Sequence, residues 1–177
     1  MKSRNGADIL IEALIANGVD TIFGLPGVQI MPIFDALAKT PEIRLITVRH
    51  EQAAAYMADG YARSSGKPGV ALVVPGPGAL NATAAIGTAY SASSPVLLIS
   101  GQIWLKDIGR HHGALHQIND QLDVFKPITK WAERITKVQD IPEVVARAFR
   151  ELLTGRPRPV EIELPPDVLA DDSDVVI

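Results

Sequence analysis

Residues 70–92 read VALVVPGPGALNATAAIGTAYSA, and this stretch decides the fold. It opens with an apolar run, Val70 to Val74, of the kind that forms a strand buried on both faces of a sheet. The turn residues 75–78 end that strand, and the small residues from Leu80 to Ala92 predict a helix. A buried strand, a tight turn and a helix together make the unit from which parallel α/β sheets are built.

The same alternation continues on both sides of this unit. Helical periodicity recurs in four further segments, residues 7–17, 30–38, 51–63 and 141–153. Short apolar runs recur in four others, residues 19–24, 43–48, 95–100 and 159–164. The sequence therefore predicts an α/β fold: a single three-layer domain with a doubly wound, mostly parallel sheet and helices on both faces.

Composition narrows the classes of function. The chain is 47% apolar and 21% charged, which excludes a disordered or collagen-like protein, and its net charge of −3 comes with no basic cluster for nucleic acid. It has no cysteine, which excludes disulfides, thiolate metal sites and a cysteine nucleophile. No apolar run approaches the ~20 residues that span a bilayer, and the N-terminus does not resemble a secretory signal. We expect a cytoplasmic protein without membrane or nucleic-acid partners.

Polar side chains follow the predicted strands in four segments, residues 24–28, 49–52, 75–81 and 101–117. Ligands of open parallel sheets bind beyond the carboxyl ends of the strands, so these segments form the candidate site. Glu51 opens a helix in the second of them. An acid in a first helical turn often does no more than complement the helix dipole. Because small apolar residues follow it, Glu51 is also a candidate acid or base.

The segment from Gly76 to Asn81 nearly matches the dinucleotide-binding pattern G-x-G-x-x-G, with Asn81 in place of the third glycine. The acid expected about 20 residues further on is missing, and Pro77 stiffens the loop. A rigid turn that presents Asn81 is therefore favoured over a nucleotide site. The segment from Gly60 to Lys67 also fails the spacing of a phosphate-binding P-loop.

Three histidines, His111, His112 and His116, lie close together in the loop that follows the strand at 95–100. His112 and His116 would share one face of a helix, as metal ligands do. Gly109 and Gly113 favour a loop instead, and no acid stands at ligand spacing within it. Polar donors aimed at a substrate are thus favoured over a metal site, and we assign no metal ligand in this chain.

The strand-end motifs also form an ordered set. Gly24-x-Pro26-Gly27 is followed by Arg49-His50-Glu51-Gln52-Ala53-Ala54 and then by Gly76-Pro77-Gly78-Ala79-Leu80-Asn81. Gln117, Lys130-Trp131 and residues 156–160 come after them. This order resembles the N-terminal, pyrimidine-binding domain of thiamine-diphosphate enzymes of the acetolactate synthase-like family. The resemblance covers nearly the whole chain.

The resemblance implies how the cofactor, thiamine diphosphate, would be held. Glu51 matches the glutamate that hydrogen-bonds a ring nitrogen of the aminopyrimidine, which helps that ring to take the proton from the thiazolium carbon. Pro77 and Asn81 match positions that line the pyrimidine. Pro26 and Gly27 match a loop beside the thiazolium and the substrate.

The resemblance also implies a substrate side, made of Leu25, His112, His116 and Gln117. Gln117 aligns with a glutamine that faces the active centre, and the pair His111-His112 is similar to the histidine pair of pyruvate decarboxylase-like relatives. Leu25 stands where acetolactate synthases commonly have tyrosine, and His116 where they commonly have phenylalanine. The resemblance therefore implies the family and a small 2-keto acid, without fixing which 2-keto acid.

The Gly-Asp-Gly motif, with which a C-terminal domain of this family holds the diphosphate and its magnesium, does not occur in the sequence. The resemblance therefore implies a pyrimidine-binding domain over residues 1–170 that works with a diphosphate-binding domain or subunit and pairs as a homodimer. We expect the whole assembly to be a 2-keto acid decarboxylase or carboligase, and this chain alone to be inactive. The acidic residues 171–177 are expected to form a linker towards a central domain.

Other functions stay open on the sequence alone. One alternative is a non-catalytic module that binds a nucleotide or an effector through residues 75–81. Another is a small subunit that is active only with a separate diphosphate-binding chain. A third possibility is a pure association unit, because the alanine-rich run at 53–62 suits close packing between helices.

Overall fold

The computed structural model describes residues 4–177. The strands, in chain order, are β1 (Arg4–Asn5), β2 (Thr21–Gly24), β3 (Arg44–Thr47), β4 (Gly69–Val73), β5 (Val96–Gly101), β6 (Trp131–Arg134), β7 (Val160–Leu164) and β8 (Asp172–Ser173). Six of them form one sheet in the order β3-β2-β4-β5-β7-β6, and every neighbouring pair in it is parallel. The short strands β1 and β8 pair with each other in antiparallel fashion.

The helices, in chain order, are α1 (Gly6–Ala16), α2 (Met31–Leu37), α3 (Glu51–Ser65), α4 (Pro77–Ala92), α5 (Gln121–Phe125), α6 (Ile141–Leu153) and α7 (Pro166–Ala170). Helices α1, α2, α6 and α7 bury their apolar side chains in a core on one face of the sheet. Helices α3, α4 and α5 do so on the other face. The predicted doubly wound, three-layer fold is therefore confirmed. Within residues 4–177 no helix has the length and apolarity needed to cross a bilayer.

The two faces differ in the size of their residues, and strand β4 shows the difference. Val70 and Leu72 point into the core of α1, α2 and α6, whereas Ala71 lies in the core of α3 and α4, which is largely alanine. A Cβ at Gly69 would lie 2.0 Å from the carbonyl oxygen of Ala58 in α3. The small residues thus let α3 lie almost directly on the backbone of the sheet.

The sequence order of the strands produces a topological switch between β2 and β4. From β2 the chain passes through α2 to β3 at the sheet edge, whereas from β4 it passes through α4 to β5 in the opposite direction. The helices that follow β2 and β4 lie on opposite faces, which opens a crevice between the two strand ends. Ligands of doubly wound folds bind at such a crevice.

Five of the described strands and helices were not predicted from the sequence, namely β1, β6, β8, α5 and α7. Strand β6 lies at the sheet edge and consists of two apolar residues followed by two charged ones, and α5 is only a single short turn after the long loop. Helix α7 falls in a proline- and aspartate-rich stretch without helical periodicity, and its Val168 and Leu169 are buried in the core. Proline at the first helical position suits the start of α7, because that position needs no intrahelical donor.

The chain end is also more closely attached than its acidic sequence indicates. Residues 172–173 pair with Arg4 and Asn5. Val175 packs against the core, and its carbonyl oxygen accepts a hydrogen bond from the Arg4 side chain. Residues 171–175 therefore lie on the domain, although a role as a connection to a further domain stays a prediction.

Candidate functional site

The four predicted loops lie at one edge of the sheet. Residues 24–28 follow β2, 49–52 follow β3, 75–81 follow β4 and 101–117 follow β5, and these strands are adjacent and parallel. Their carboxyl ends therefore meet on one side of the molecule, as the sequence predicts.

The polar pair at this edge is Glu51 and Asn81. Asn81 Nδ2 donates a hydrogen bond to Glu51 Oε2 at 3.0 Å. Glu51 is the first residue of α3, after His50, whose side chain caps the helix by accepting from Gln52 N at 3.1 Å. Asn81 lies in the early part of α4, which packs alongside α3. The structure thus brings together the two residues that the sequence analysis singles out in separate motifs.

The side chain of Val74 fills the floor between the two turns of the crevice. A Cβ at Gly27 would lie 2.2 Å from Val74 Cγ1, and one at Gly78 would lie 2.5 Å from Val74 Cγ2. The same Cβ at Gly78 would lie 3.2 Å from Glu51 Oε1. Glycine at both positions therefore keeps the crevice open, and the Glu51 carboxylate sits over the open side of Gly78.

Within residues 4–177 the Glu51 carboxylate is hydrogen-bonded through one of its two oxygens. Asn81 occupies Oε2, and within residues 4–177 no donor is within hydrogen-bond distance of Oε1. The alanines that follow Glu51 do not wall the carboxylate, since Ala54 and Ala55 face the core between α3 and the sheet. Pro77 is exposed at the start of α4. The arrangement offers a fixed acceptor above an apolar, glycine-lined surface.

The histidine loop is not helical. His111 and His116 have positive φ angles of 52° and 68°, so His112 and His116 do not share a helix face. His112 Nε2 lies 3.2 Å from Asp107 Oδ1. In the part of the chain that the structure describes, no three His, Asp or Glu side chains gather as metal ligands.

Gln117 is held within its own loop. Its Oε1 accepts from the backbone N–H groups of Gly113 at 2.9 Å and Ala114 at 3.0 Å. Its Nε2 and the Nδ1 atom of His116 are buried, and neither has a hydrogen-bond partner within residues 4–177. The structure gives no direct contact of Gln117 with Glu51. It does bring the loop against the turn after β4, because a Cβ at Gly76 would lie 2.1 Å from the carbonyl oxygen of His116.

A cavity of about 350 Å³ lies where the loops after β2 and β5 meet. Its lining is largely apolar, with Val28, Ile103, Trp104 and Leu115 among the walls. Gln29 Nε2 donates to the carbonyl oxygen of Leu115 at 3.2 Å and so joins the two loops. Residues 25–27 lead directly into this cavity. Most of its lining residues lie in the predicted segments 24–28 and 101–117, whereas Gln29 and Pro166 lie outside them.

The sequence analysis also missed a buried polar cluster behind the turn after β4. It consists of Ser100, Gln121, Arg134, Glu161 and Glu163. Burial raises the pKa of Glu161 well above its ordinary value, and the charge of Glu163 acts in the same direction. Burial also raises the pKa of Glu163, while Arg134 opposes that effect. The sequence does carry one sign of this cluster, because Glu161 and Glu163 stand at alternate positions of the otherwise apolar strand β7.

The fold and the crevice define a ligand-binding α/β domain of the doubly wound class. Residues 4–124 match the family described as "Thiamine pyrophosphate enzyme, N-terminal TPP binding domain". The match covers more than half of the chain, and the chain belongs to this family.

Several relatives are similar over nearly the whole chain. The "Acetolactate synthase large subunit" of Buchnera aphidicola is 44% identical over 98% of this chain and 30% of its own length. The "Probable acetolactate synthase large subunit" of Methanocaldococcus jannaschii is 47% identical over 96% of this chain and 28% of its own length. A "Probable 2-ketoarginine decarboxylase" of Pseudomonas aeruginosa is 43% identical over 96% of this chain and 29% of its own length. The chain thus spans less than a third of the length of these relatives.

Proposed function

We propose that this chain binds the aminopyrimidine half of thiamine diphosphate through Glu51 and Asn81. It does so as the pyrimidine-binding domain of a 2-keto acid decarboxylase or carboligase similar to acetolactate synthase. The observation that carries this proposal is the hydrogen bond from Asn81 to Glu51 Oε2. It leaves Oε1 free above Gly78 at the switch-point crevice. Membership of the family and the names of the relatives support the choice of ligand.

The residues at the crevice fit an aminopyrimidine. The ring is flat, with apolar faces and hydrogen-bonding nitrogens at its edge. A flat ring needs a surface without protruding side chains, and Gly78 provides one next to the carboxylate. The exposed ring of Pro77 and the exposed side chain of Leu80 offer apolar contacts on the same helix start. Glu51 Oε1 offers the oxygen that would share a proton with a ring nitrogen.

In the proposed mechanism Glu51 holds a proton in a hydrogen bond to that ring nitrogen. Thiamine diphosphate, when bound, supplies the nucleophilic carbon and the electron sink for breaking a bond next to a keto group. Asn81 fixes the rotamer of the Glu51 carboxylate, so that Oε1 rather than Oε2 meets the ring. The start of α3 fixes the place of Glu51 in the crevice, because Glu51 is the first residue of that helix.

The substrate side of the proposal consists of Leu25, Pro26 and Gly27 with the loop that carries His112, His116 and Gln117. The buried, unpartnered atoms Gln117 Nε2 and His116 Nδ1 are the polar groups that would reach a small 2-keto acid. Polar atoms buried without partners are costly unless a ligand satisfies them.

The other half of the site belongs to a different domain in this proposal. A diphosphate-binding domain, fused to this chain or separate from it, would hold the diphosphate and its magnesium. This chain alone would then be inactive. Residues 1–170 would form the functional domain, with 171–177 leading on, and the assembly would work in the cytoplasm.

The exposed face of α3 and α4 supports a homodimer. Tyr56, Met57 and Leu80 are 41%, 39% and 43% exposed, although all are large and apolar. Gly60 and Gly87 sit inside these two helices, and a Cβ at either position would meet no atom within 4 Å. Glycine inside a helix costs up to about 1 kcal/mol relative to alanine. A second copy that approaches this face closely would account for both glycines.

The test is Glu51→Gln in the assembly of this chain with its diphosphate-binding domain. We expect turnover of 2-keto acids to fall by roughly 10²–10⁴-fold while thiamine diphosphate still binds, because the amide cannot exchange the proton. Glu143→Gln is the matched control, since Glu143 is also an acid in the first turn of a helix, α6. It should leave turnover unchanged. Near wild-type turnover in Glu51→Gln, or tight binding of a nucleotide at residues 75–81, would refute the proposal.

A further inference from the structure

A chain of buried hydrogen bonds leads inward from the turn that begins α4. Gln121, the first residue of α5, is only 1% exposed. Its Oε1 accepts from the backbone N–H of Gly76 at 2.8 Å. Its Nε2 lies 2.9 Å from each of three acceptors, namely Ser100 Oγ, the carbonyl oxygen of Gly101 and Glu163 Oε2. The side-chain amide therefore has partners at both ends.

The inner end of this chain is a pair of acids on strand β7. Ser100 Oγ donates to Glu161 Oε1 at 2.6 Å, and both Gln102 Nε2 and the Arg134 side chain donate to Glu163 Oε1. Glu161 and Glu163 are both 0% exposed. Arg134 balances the charge of one acid, and burial keeps the proton on the other, which is Glu161. Burying charged and polar groups costs desolvation free energy. We therefore attribute the cluster's role to the backbone geometry that it specifies rather than to added stability.

The outer end of the chain is a backbone conformation that needs support. Gly76 has φ 56° and ψ −115°, which side chains other than glycine's hydrogen do not tolerate. It occupies the N-cap of α4 and has no side chain to cap the helix. Two residues further on, Gly78 lies under the Glu51 carboxylate. A change in the backbone conformation of Gly76 would therefore shift Gly78 and the surface beside Glu51.

Residues 116–121 contact the Gly76 turn at two points. The carbonyl of His116 packs against the Cα of Gly76, and Gln121 holds the N–H of the same residue. Gln117 lies between these two contacts in the sequence. The turn after β4 and the loop after β5 are thus joined at Gly76.

We propose that Gln121 is a positioning residue that locks the Gly76 turn to residues 116–121. Through that lock it sets the position of Gly78 under Glu51 and of Gln117 on the substrate side. The inference rests on the proposed function, since that function gives the turn its role in cofactor binding. Gln121 itself touches neither Glu51 nor the crevice. It acts through the backbone.

The direct test is hydrogen exchange of the Gly76 amide, measured by NMR on the 177-residue chain without cofactor. In Gln121→Met we expect this amide to exchange at least about tenfold faster, relative to the core amide of Leu98, because its acceptor is lost. Gln102→Met is the matched control, since it removes a buried side-chain amide that contacts Glu163 and the backbone N–H of Ile103 but does not contact Gly76. It should leave the ratio of Gly76 to Leu98 exchange unchanged. An unchanged ratio in Gln121→Met would overturn the proposal.

A measurement on the unmodified chain tests the same hydrogen bond without depending on whether Gln121→Met folds. A scalar coupling across the hydrogen bond between Gly76 ¹⁵N and Gln121 ¹³Cδ should be detectable. A Gly76 amide that exchanges as fast as that of the exposed Gly109 would overturn the lock without any substitution.

The functional arm uses the assembly with the diphosphate-binding domain. Gln121→Met should raise the thiamine diphosphate concentration for half-saturation about tenfold and change kcat much less at saturating cofactor, because the residue positions the site rather than reacts. Gln102→Met should change neither quantity. Unchanged half-saturation in Gln121→Met, with normal binding in the unmodified assembly, would overturn this inference alone. Failure of the unmodified assembly to bind thiamine diphosphate would instead overturn the proposed function.

Discussion

Asn81 Nδ2 and Glu51 Oε2 lie 3.0 Å apart, and this hydrogen bond joins the beginnings of α4 and α3. The two residues are on elements that follow different strands, so the bond reports how closely the loops after β3 and β4 converge. It also decides which carboxylate oxygen of Glu51 is available.

Asn81→Asp should move the acidic limb of the pH–rate profile of the assembled enzyme to higher pH. The substitution places a second carboxylate beside Glu51, and two neighbouring carboxylates resist losing both protons. Asn81→Ala should lower the rate without that upward displacement, since it removes the hydrogen bond and adds no charge. Superimposable pH profiles for Asn81→Asp and the unmodified enzyme would contradict the assigned pair.

Gly78→Ala should destabilise the domain by roughly 1–3 kcal/mol and weaken cofactor binding, because the new methyl group is overpacked. That methyl would lie 2.5 Å from Val74 Cγ2 and 3.2 Å from Glu51 Oε1. Urea unfolding and cofactor titration measure the two effects separately. Adding Val74→Ala should restore part of the stability by relieving the first contact. It should not restore cofactor binding, because the contact with Glu51 Oε1 remains.

Glu161→Gln should make the domain progressively more stable than the unmodified protein as the pH rises. The pKa of Glu161 is raised by burial, so the folded state favours the protonated form. The stability that this form contributes is fully present below the ordinary pKa of 4.5 and is lost as the pH rises through the raised value. Glutamine keeps the neutral side chain at every pH. Urea midpoints at about pH 5, 7 and 9 check this, with the exposed Glu143→Gln as control. Parallel curves for the two proteins would contradict it.

Gly87→Gln should weaken the proposed homodimer while the domain stays folded. A Cβ at Gly87 meets no atom within 4 Å of its own chain, and glutamine is a better helix former than glycine. The longer side chain would hold a second copy away from α4. Light scattering over a range of concentrations should show dissociation, whereas Ala16→Gln at an exposed position on the other face should not. A variant that dimerises as tightly as the unmodified protein would exclude this face as the interface.

Much of the fold could be predicted because its signals are local. The run from Val70 to Val74 and the glycine turn after it give one strand–turn–helix unit, and parallel sheets gather such turns at one edge. That rule alone predicts that Glu51 and Asn81 lie at the same edge. Their hydrogen bond could not be predicted, because it depends on how α3 and α4 pack against each other.

The buried cluster escaped prediction for a different reason. Glutamates in a strand ordinarily indicate a solvent-exposed face, so the alternate acids Glu161 and Glu163 do not by themselves show that they face Ser100 and Gln121. Gln121 begins a helix of only five residues, too short for a periodic pattern. Its partner Gly76 is distant in the sequence. Only the three-dimensional arrangement connects them.

Val74 gives the crevice a spacer. Its two methyl groups separate the Gly27 turn from the Gly78 turn, so the width of the opening is the width of one side chain. A domain with isoleucine here would hold the turns further apart, and one with alanine would let them close. A single aliphatic side chain at position 74 can therefore change the size of what the crevice admits, without moving Glu51 or Asn81.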